Sequence, residues 1–276
     1  MEKPCIPRRV VRVPRDWQKD FFGKHYTLGD NSRCGYLPGR KETLKERTER
    51  EAGGVIRLLG LEPGASILDV PCGYGRHSIR LSEKGYRVTG LDINDEELAI
   101  AREEAERRGV RPEFVKQDMR GIGSRLLGRF DAVINMFFSF GFFYEERENV
   151  QAMAGFYGAL KQGGRMLIHS DVSREMIERG GNYKLEEVRE LENGNGKLII
   201  EEEFDLAAKR LNGSWTLVDD AGNRGTPKPY SMRIYSAEEY SEMAFVCGFR
   251  SVEIYGSFEG VPFMPDSAEI IVVARK

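Results

Sequence analysis

The sequence predicts an α/β protein in which a doubly wound, mostly parallel sheet is closed by an antiparallel hairpin and carries a second antiparallel sheet as an insertion. Three observations lead there. From Ile67 to Asp171 short apolar runs alternate with amphipathic stretches across short loops, the pattern of parallel strands joined by crossover helices. The stretch Ile67-Leu-Asp-Val-Pro-Cys-Gly-Tyr-Gly-Arg-His77 ends an apolar run in an acid and turns on two glycines, and Val88-Thr-Gly-Leu-Asp92 closes the next run on another acid. From about Asn182 to Tyr235 the periodicity changes to short strands punctuated by Asn193-Gly-Asn-Gly196 and Asp219-Asp-Ala-Gly-Asn223, which are hairpin turn sequences.

Taken in order, residues 1–40 form an extension outside this pattern. Pro4, Pro7 and Pro14 break it, and six basic residues (Lys3, Arg8, Arg9, Arg12, Arg15, Lys19) make it a solvated basic segment. Trp17, Phe21, Phe22 and Tyr26 follow at a spacing close to one helical face, with His25 among them; they suit either core packing or an aromatic lid. Lys41 to Leu59 reads as a helix, apolar at Ala52, Val55, Ile56, Leu58 and Leu59 and ending near Gly60. Pro63-Gly64 turns the chain into the first strand. Residues 41–181 and 236–276 then form the sheet domain, and 182–235 a four-stranded antiparallel insert that can roof a cleft or offer an edge to a twin subunit, so a homodimer is possible. Ala237 to Cys247 is the last helix, and Ser251–Tyr255 and Ala268–Ala274 are the closing strands.

A glycine lets a backbone approach a ligand closely, and the helix after it presents unpaired N–H groups. An acid one strand over can accept the two hydroxyls of a ribose. The chain is therefore expected to bind an adenosine-type cofactor. A dinucleotide fingerprint would place a third glycine where Ser78 stands. The loop instead resembles the acid-x-G-x-G-x-G motif of the class I S-adenosylmethionine-dependent methyltransferases, with Asp69, Gly73 and Gly75 matching and Pro71 in place of the first glycine. Later segments resemble that family in the same order: Phe114-Val-Lys-Gln-Asp118-Met119, Phe130-Asp-Ala-Val-Ile-Asn135, and Leu160-Lys-Gln-Gly-Gly with Gln162 in place of the usual proline. Met136-Phe-Phe-Ser-Phe-Gly141 and the insert are similar to small-molecule N-methyltransferases, including those acting on amino sugars.

The resemblance implies a Rossmann-like fold and S-adenosyl-L-methionine as cofactor. Asp92 is expected on the ribose with Ile93 beside it, Gly73 and Gly75 on the methionine moiety, Asp118 and Met119 on the adenine, and Tyr26 within the lid. Asp69 is expected to organise the glycine loop or to meet the cofactor's amino group through water, and Asn135 to orient a ligand without taking a proton. His169, at the end of the fifth strand, is the candidate base, since its ordinary pKa suits proton transfer near pH 7; His77 is expected to cap or pack at its helix. Phe137, Phe138, Phe140, Phe142 and Phe143 supply an apolar chamber, which favours dispersal of the sulfonium charge.

Composition narrows the rest. A net charge of −2 gives no whole-molecule field for nucleic acid or an anionic membrane. Apolar runs stay far short of a bilayer span and the N-terminus lacks an apolar signal core, so a cytoplasmic location is expected. The four cysteines have no C-x-x-C pair, and three scattered histidines give no metal-ligand spacing, so neither a disulfide framework nor a metal is expected. The leading reading is methyl transfer to nitrogen or oxygen of a small molecule. The alternatives are an RNA or protein methyltransferase, a nucleotide-dependent oxidoreductase and a non-catalytic binding module.

Overall fold

The computed structural model describes residues 13–22, 42–181, 183–191 and 194–276. A short helix α1 (Gln18–Phe21) precedes α2 (Leu44–Leu59). Helix α2 begins in a reciprocal cap: Glu46 N–H donates to Thr43 Oγ1 at 3.2 Å, and Thr43 N–H donates to the Glu46 carboxylate at 2.9 Å. The alternating region follows as β1 (Ser66–Asp69), α3 (Arg76–Glu83), β2 (Arg87–Asp92), α4 (Asp95–Arg107), β3 (Glu113–Lys116), β4 (Phe130–Asn135), α5 (Glu146–Ala159) and β5 (Leu160–Ser170). After α6 (Arg174–Gly180) come the insert strands β6 (Lys184–Glu190), β7 (Lys197–Asp205), β8 (Arg210–Val218) and β9 (Lys228–Arg233). Helix α7 (Ala237–Val246) and strands β10 (Ser251–Tyr255) and β11 (Ile270–Arg275) end the chain.

The main sheet has the order β10-β11-β5-β4-β1-β2-β3. Strands β1 to β5 are parallel, while β11 runs antiparallel to β5 and pairs with β10 as the closing hairpin. Sequence order reverses between β1 and β4, which leaves a crevice at their carboxyl ends where ligands of open α/β sheets collect. This is a Rossmann-like sheet. Fully buried Ile67, Leu68, Ile134, Met166 and Leu167 fill it, as near-continuous apolar strands covered on both faces must.

The insert is a separate sheet of order β6-β7-β8-β9. It meets the rest of the molecule through aromatic contacts: the Phe21 ring lies 5.0 Å from Tyr230 and 5.2 Å from Trp215, and Trp17 lies 6.0 Å from Tyr230. Of the two roles open to the N-terminal aromatics, Trp17 and Phe21 take the core one. The helix is shorter than their spacing predicts, because Phe22 is already extended (φ −79°, ψ 151°). Tyr26 and His25 lie outside the described residues. The loop after β4 docks on the insert at Gly141 (φ +98°), whose carbonyl accepts from Arg233 N–H at 2.8 Å; a Cβ there would stand 2.2 Å from Arg233 O.

Candidate functional site

A cleft enclosing about 850 Å³ of free space, its open mouth included, lies at the carboxyl ends of β1, β2 and β4. Pro71 to Tyr74 of the glycine loop and Leu91–Ile93 line one side, Gln117 to Met119 another. Met136, Phe137, Phe142 and Phe143 form the apolar wall, and Gln18 and Phe22 close it from α1. The insert, expected to roof the cleft, contributes no lining residue among those described; α1 stands between the two sheets.

The glycines are needed for two different reasons. Gly73 adopts φ +52°, a conformation that side chains oppose. Gly75 adopts φ +81°, and a Cβ on it would meet Ala101 Cβ at 2.9 Å and Phe114 Cζ at 3.0 Å, prising α4 and β3 from the loop. The loop is fastened to its acid: Asp92 Oδ2 accepts from Gly73 N–H at 2.8 Å and Oδ1 from Asn94 N–H at 2.9 Å. Burial raises the Asp92 pKa, and each oxygen keeps a second lone pair for a hydroxyl donor.

Asp69 and Asn135 sit on neighbouring strands beneath the loop, both buried and off the cleft wall. Ser78 Oγ donates to Asp69 Oδ2 at 2.6 Å, and Asn135 Nδ2 donates to Val70 O at 2.7 Å. Asp69 Oδ1 and Asn135 Oδ1 have no hydrogen-bond partner among the described residues. Burial pushes the Asp69 carboxyl up to about 7. Ser78, the residue that breaks the dinucleotide fingerprint, is thus the partner that holds Asp69.

Asp118 does reach the cleft, but its carboxylate is already claimed. It caps the turn at Met119–Gly121, accepting from Arg120 N–H at 2.9 Å, and the Arg120 guanidinium grips it from the side. Met119 and Ile93 also line the cleft.

The two described histidines differ in their access to the cleft. His169 is fully buried and absent from the cleft wall, so this geometry does not present it to an acceptor. Its Nε2 lies 3.0 Å from Glu269 and 3.4 Å from Asp171; burial opposes its charge, yet the two acids outweigh that and raise its pKa to about 9. Phe137 N lies 3.4 Å from Nδ1, a contact too long to compete with those acids. His77 is the histidine on the cleft wall. Its Nε2 is 2.8 Å from Glu51, and burial together with the nearby Arg76 charge pushes its pKa down to about 4, leaving it neutral at pH 7.

Sequence reasoning missed what lies between them. Despite complete burial, Arg76 and Arg47 hold the Glu51 carboxyl well below its usual range. Arg47 also donates twice to Asp171, at 3.0 and 2.7 Å, and Arg50 contacts Glu269 at 3.1 Å. The signal was present: Glu51 occupies the apolar face of α2 next to Ala52 and Val55. His169, Asp171 and Glu269 lie close enough to share a metal ion, but Arg47 and Arg50 already neutralise the two acids. The network also places the Arg47 guanidinium 4.5 Å from the centre of the Phe137 ring.

A methyltransferase-domain family model matches residues 67–164, from β1 into β5. The chain is 26% identical over 230 residues to the glycine/sarcosine N-methyltransferase of Halorhodospira halochloris, covering 83% of this chain and 82% of that one. Identity to the enzyme of the same name from Parasynechococcus marenigrum reaches 35% over 134 residues, 49% of this chain and 48% of that one. Among solved structures, the CcbJ methyltransferase of Streptomyces caelestis superposes with a TM-score of 0.75 at 19% identity, covering 93% of this chain and 97% of that one. CalS10, an S-adenosylmethionine-bound amino pentose methyltransferase of Micromonospora echinaspora, gives 0.62 at 22% identity over 86% and 94%. Residues 67–164 form a methyltransferase domain, and the chain is an S-adenosylmethionine-dependent methyltransferase. S-adenosylmethionine is its cofactor, and the glycine cradle and the free lone pairs of Asp92 on the cleft wall fit that group.

Proposed function

We propose that the protein transfers a methyl group to nitrogen on a small molecule, within a cleft that its N-terminal helix closes. The enclosed aromatic cleft is the observation that carries this reading. Gln18 and Phe22 stand over a cleft whose free space, about 850 Å³ with its open mouth included, accommodates a nucleoside with a modest acceptor beside it. No helix among the described residues is long and apolar enough to cross a membrane. The glycine/sarcosine and amino pentose enzymes above act on small amines by name, which supports the choice of nitrogen.

In this reading Asp92 holds the ribose hydroxyls, Ile93 and Met119 flank the adenine, and Gly73 and Gly75 admit the methionine moiety. Asp118 reaches the adenine amine only by sharing its carboxylate with Arg120. S-adenosylmethionine supplies an electrophilic methyl on a sulfonium, so the chain's own task is mainly to hold the acceptor in line and exclude water. Phe137, Phe142 and Phe143 provide the dry wall. His77, kept neutral against Glu51, can accept a hydrogen bond from an acceptor at Nδ1 when Nε2–H donates to the carboxylate. The test is S-adenosylhomocysteine release by the full chain with panels of amino acids, amino sugars and matched hydroxyl compounds. Turnover with amines and not with their hydroxyl counterparts is the expected result; turnover confined to hydroxyl acceptors or to RNA would overturn the reading.

A further inference from the structure

A second pocket, with about 610 Å³ of free space including its open mouth, shares only Phe142 with the cofactor cleft. Val13, Pro14 and Trp17 of the N-terminal segment form one wall, and Arg210, Asn212 and Ser231 of the insert form the other. Arg210 is 8% exposed, yet each of its hydrogen bonds goes to an uncharged oxygen: Ser231 Oγ at 2.8 Å, Ser231 O at 2.8 Å and Phe143 O at 3.1 Å. Three of five guanidinium N–H groups are used, and no carboxylate among the described residues pairs with it. The other two buried arginines among the described residues, Arg47 and Arg189, each have an acid against them.

A buried cation without a counter-charge is costly, and a protein that keeps one on a cavity wall has a place for an anion. Asp205 is the one acid on the wall, but its Oδ1 accepts from Ala207 and Ala208 N–H at 2.9 and 3.0 Å, so it serves the β7–β8 turn. Arg15 also lines the space, with 64% of its side chain exposed and Glu148 3.6 Å away, which adds positive charge toward solvent. Val13, Pro14, Trp17 and Ala208 make the rest apolar.

We propose that this cavity binds a small organic carboxylate with an apolar body, its carboxylate on Arg210 and its body against Trp17 and Pro14. The site is separate from the cofactor and acceptor, and the proposal stands whichever acceptor is methylated. Because Trp17 adjoins Gln18 in the segment that closes the cleft, a ligand wedged between this segment and the insert holds the closure in place. It therefore tightens cofactor binding, and by linkage the cofactor tightens the ligand.

Calorimetric titration of the full chain with benzoate, in the presence and absence of S-adenosylhomocysteine, tests this. Saturable binding is expected, with each ligand raising the other's affinity. Arg210→Met should weaken benzoate by at least about tenfold, equivalent to about 1.4 kcal/mol, while leaving S-adenosylhomocysteine affinity measured alone within about twofold. Since Arg210 also ties β8 to β9, Ala208→Phe serves as a second variant: it lies on an exposed turn, keeps Arg210, and should block benzoate by filling the space. Absence of saturable binding, binding unaltered in both variants, or competition between benzoate and S-adenosylhomocysteine would overturn the site. Equal or tighter binding of inorganic phosphate would overturn its carboxylate character.

Discussion

Asp92 and His169 are both buried acid–base groups at strand ends, yet their surroundings give them opposite duties. Asp92 faces the cleft with lone pairs to spare, whereas His169 is enclosed by Asp171 and Glu269. Charge-assisted hydrogen bonds are worth about 1.5–3 kcal/mol, so Asp92→Ala should weaken S-adenosylhomocysteine binding by tenfold or more. His169→Ala should weaken it less, and the reverse order in calorimetry would mean that the ribose lies elsewhere. His169 has its own signature in stability. Its pKa is raised to about 9, so its contribution is complete below the unfolded value near 6.5 and fades as pH rises toward 9. Thermal melts of His169→Gln should lose that alkaline slope while keeping the rest of the profile. The strand-end position of His169 was legible in the sequence. Its enclosure was not, because Glu269 lies 100 residues away and only the pairing of β11 with β5 brings them together.

Between β4 and α5 the chain makes the least regular element near the site. Phe137 and Phe138 both take left-handed backbone angles, φ +58° and +59°, and Phe138 N–H donates to His169 O at 3.0 Å. Such residues persist only where their surroundings over-determine them, and here the fixed loop sets the Phe137 ring into the cleft. The loop's other anchor is Gly141 on Arg233. Gly141→Ala combines a positive φ with a backbone clash and should cost about 1–3 kcal/mol, read as a lower denaturant midpoint, together with weaker cofactor binding because the aromatic wall shifts. The aromatic run itself was visible in the sequence, and its division was not. Phe137, Phe142 and Phe143 line the cleft, while Phe140 packs on Phe156, Tyr235 and Tyr240, partners that come from three separate elements or their ends. Regular elements were easier: the antiparallel insert was legible because two-residue alternation and glycine turns are local signals, and β6 to β9 pair in sequence order.

At the scale of the molecule, Glu51 is the charge that joins the N-terminal helix α2 to the sheet domain. Its oxygens take Arg47 Nε at 2.7 Å, Arg76 Nη1 at 2.6 Å and His77 Nε2 at 2.8 Å, and Arg47 passes the connection on to Asp171. Replacing it by glutamine leaves two buried guanidinium groups short of an acid, a loss of about 3–5 kcal/mol for pairs of this kind. Its pH dependence has a definite sign. A carboxyl held far below its ordinary pKa stabilises the fold above the unfolded value near 4.5, and that contribution is lost as pH falls through the lower range. His77, pushed down to about 4, acts in the same direction, because its stabilising neutral form is lost between about 6.5 and 4. Denaturant titrations should therefore show the stability gap between wild type and Glu51→Gln wide at pH 7 and narrowing below pH 4.5. His77→Asn, whose side-chain amide can still donate to Glu51, should flatten the slope between pH 6.5 and 4 and leave the gap at pH 7 in place. A Glu51→Gln protein as stable as wild type at pH 7 would show that α2 is held by its apolar face alone, Ala52, Val55 and Leu59, and that the buried charges add nothing to the joint.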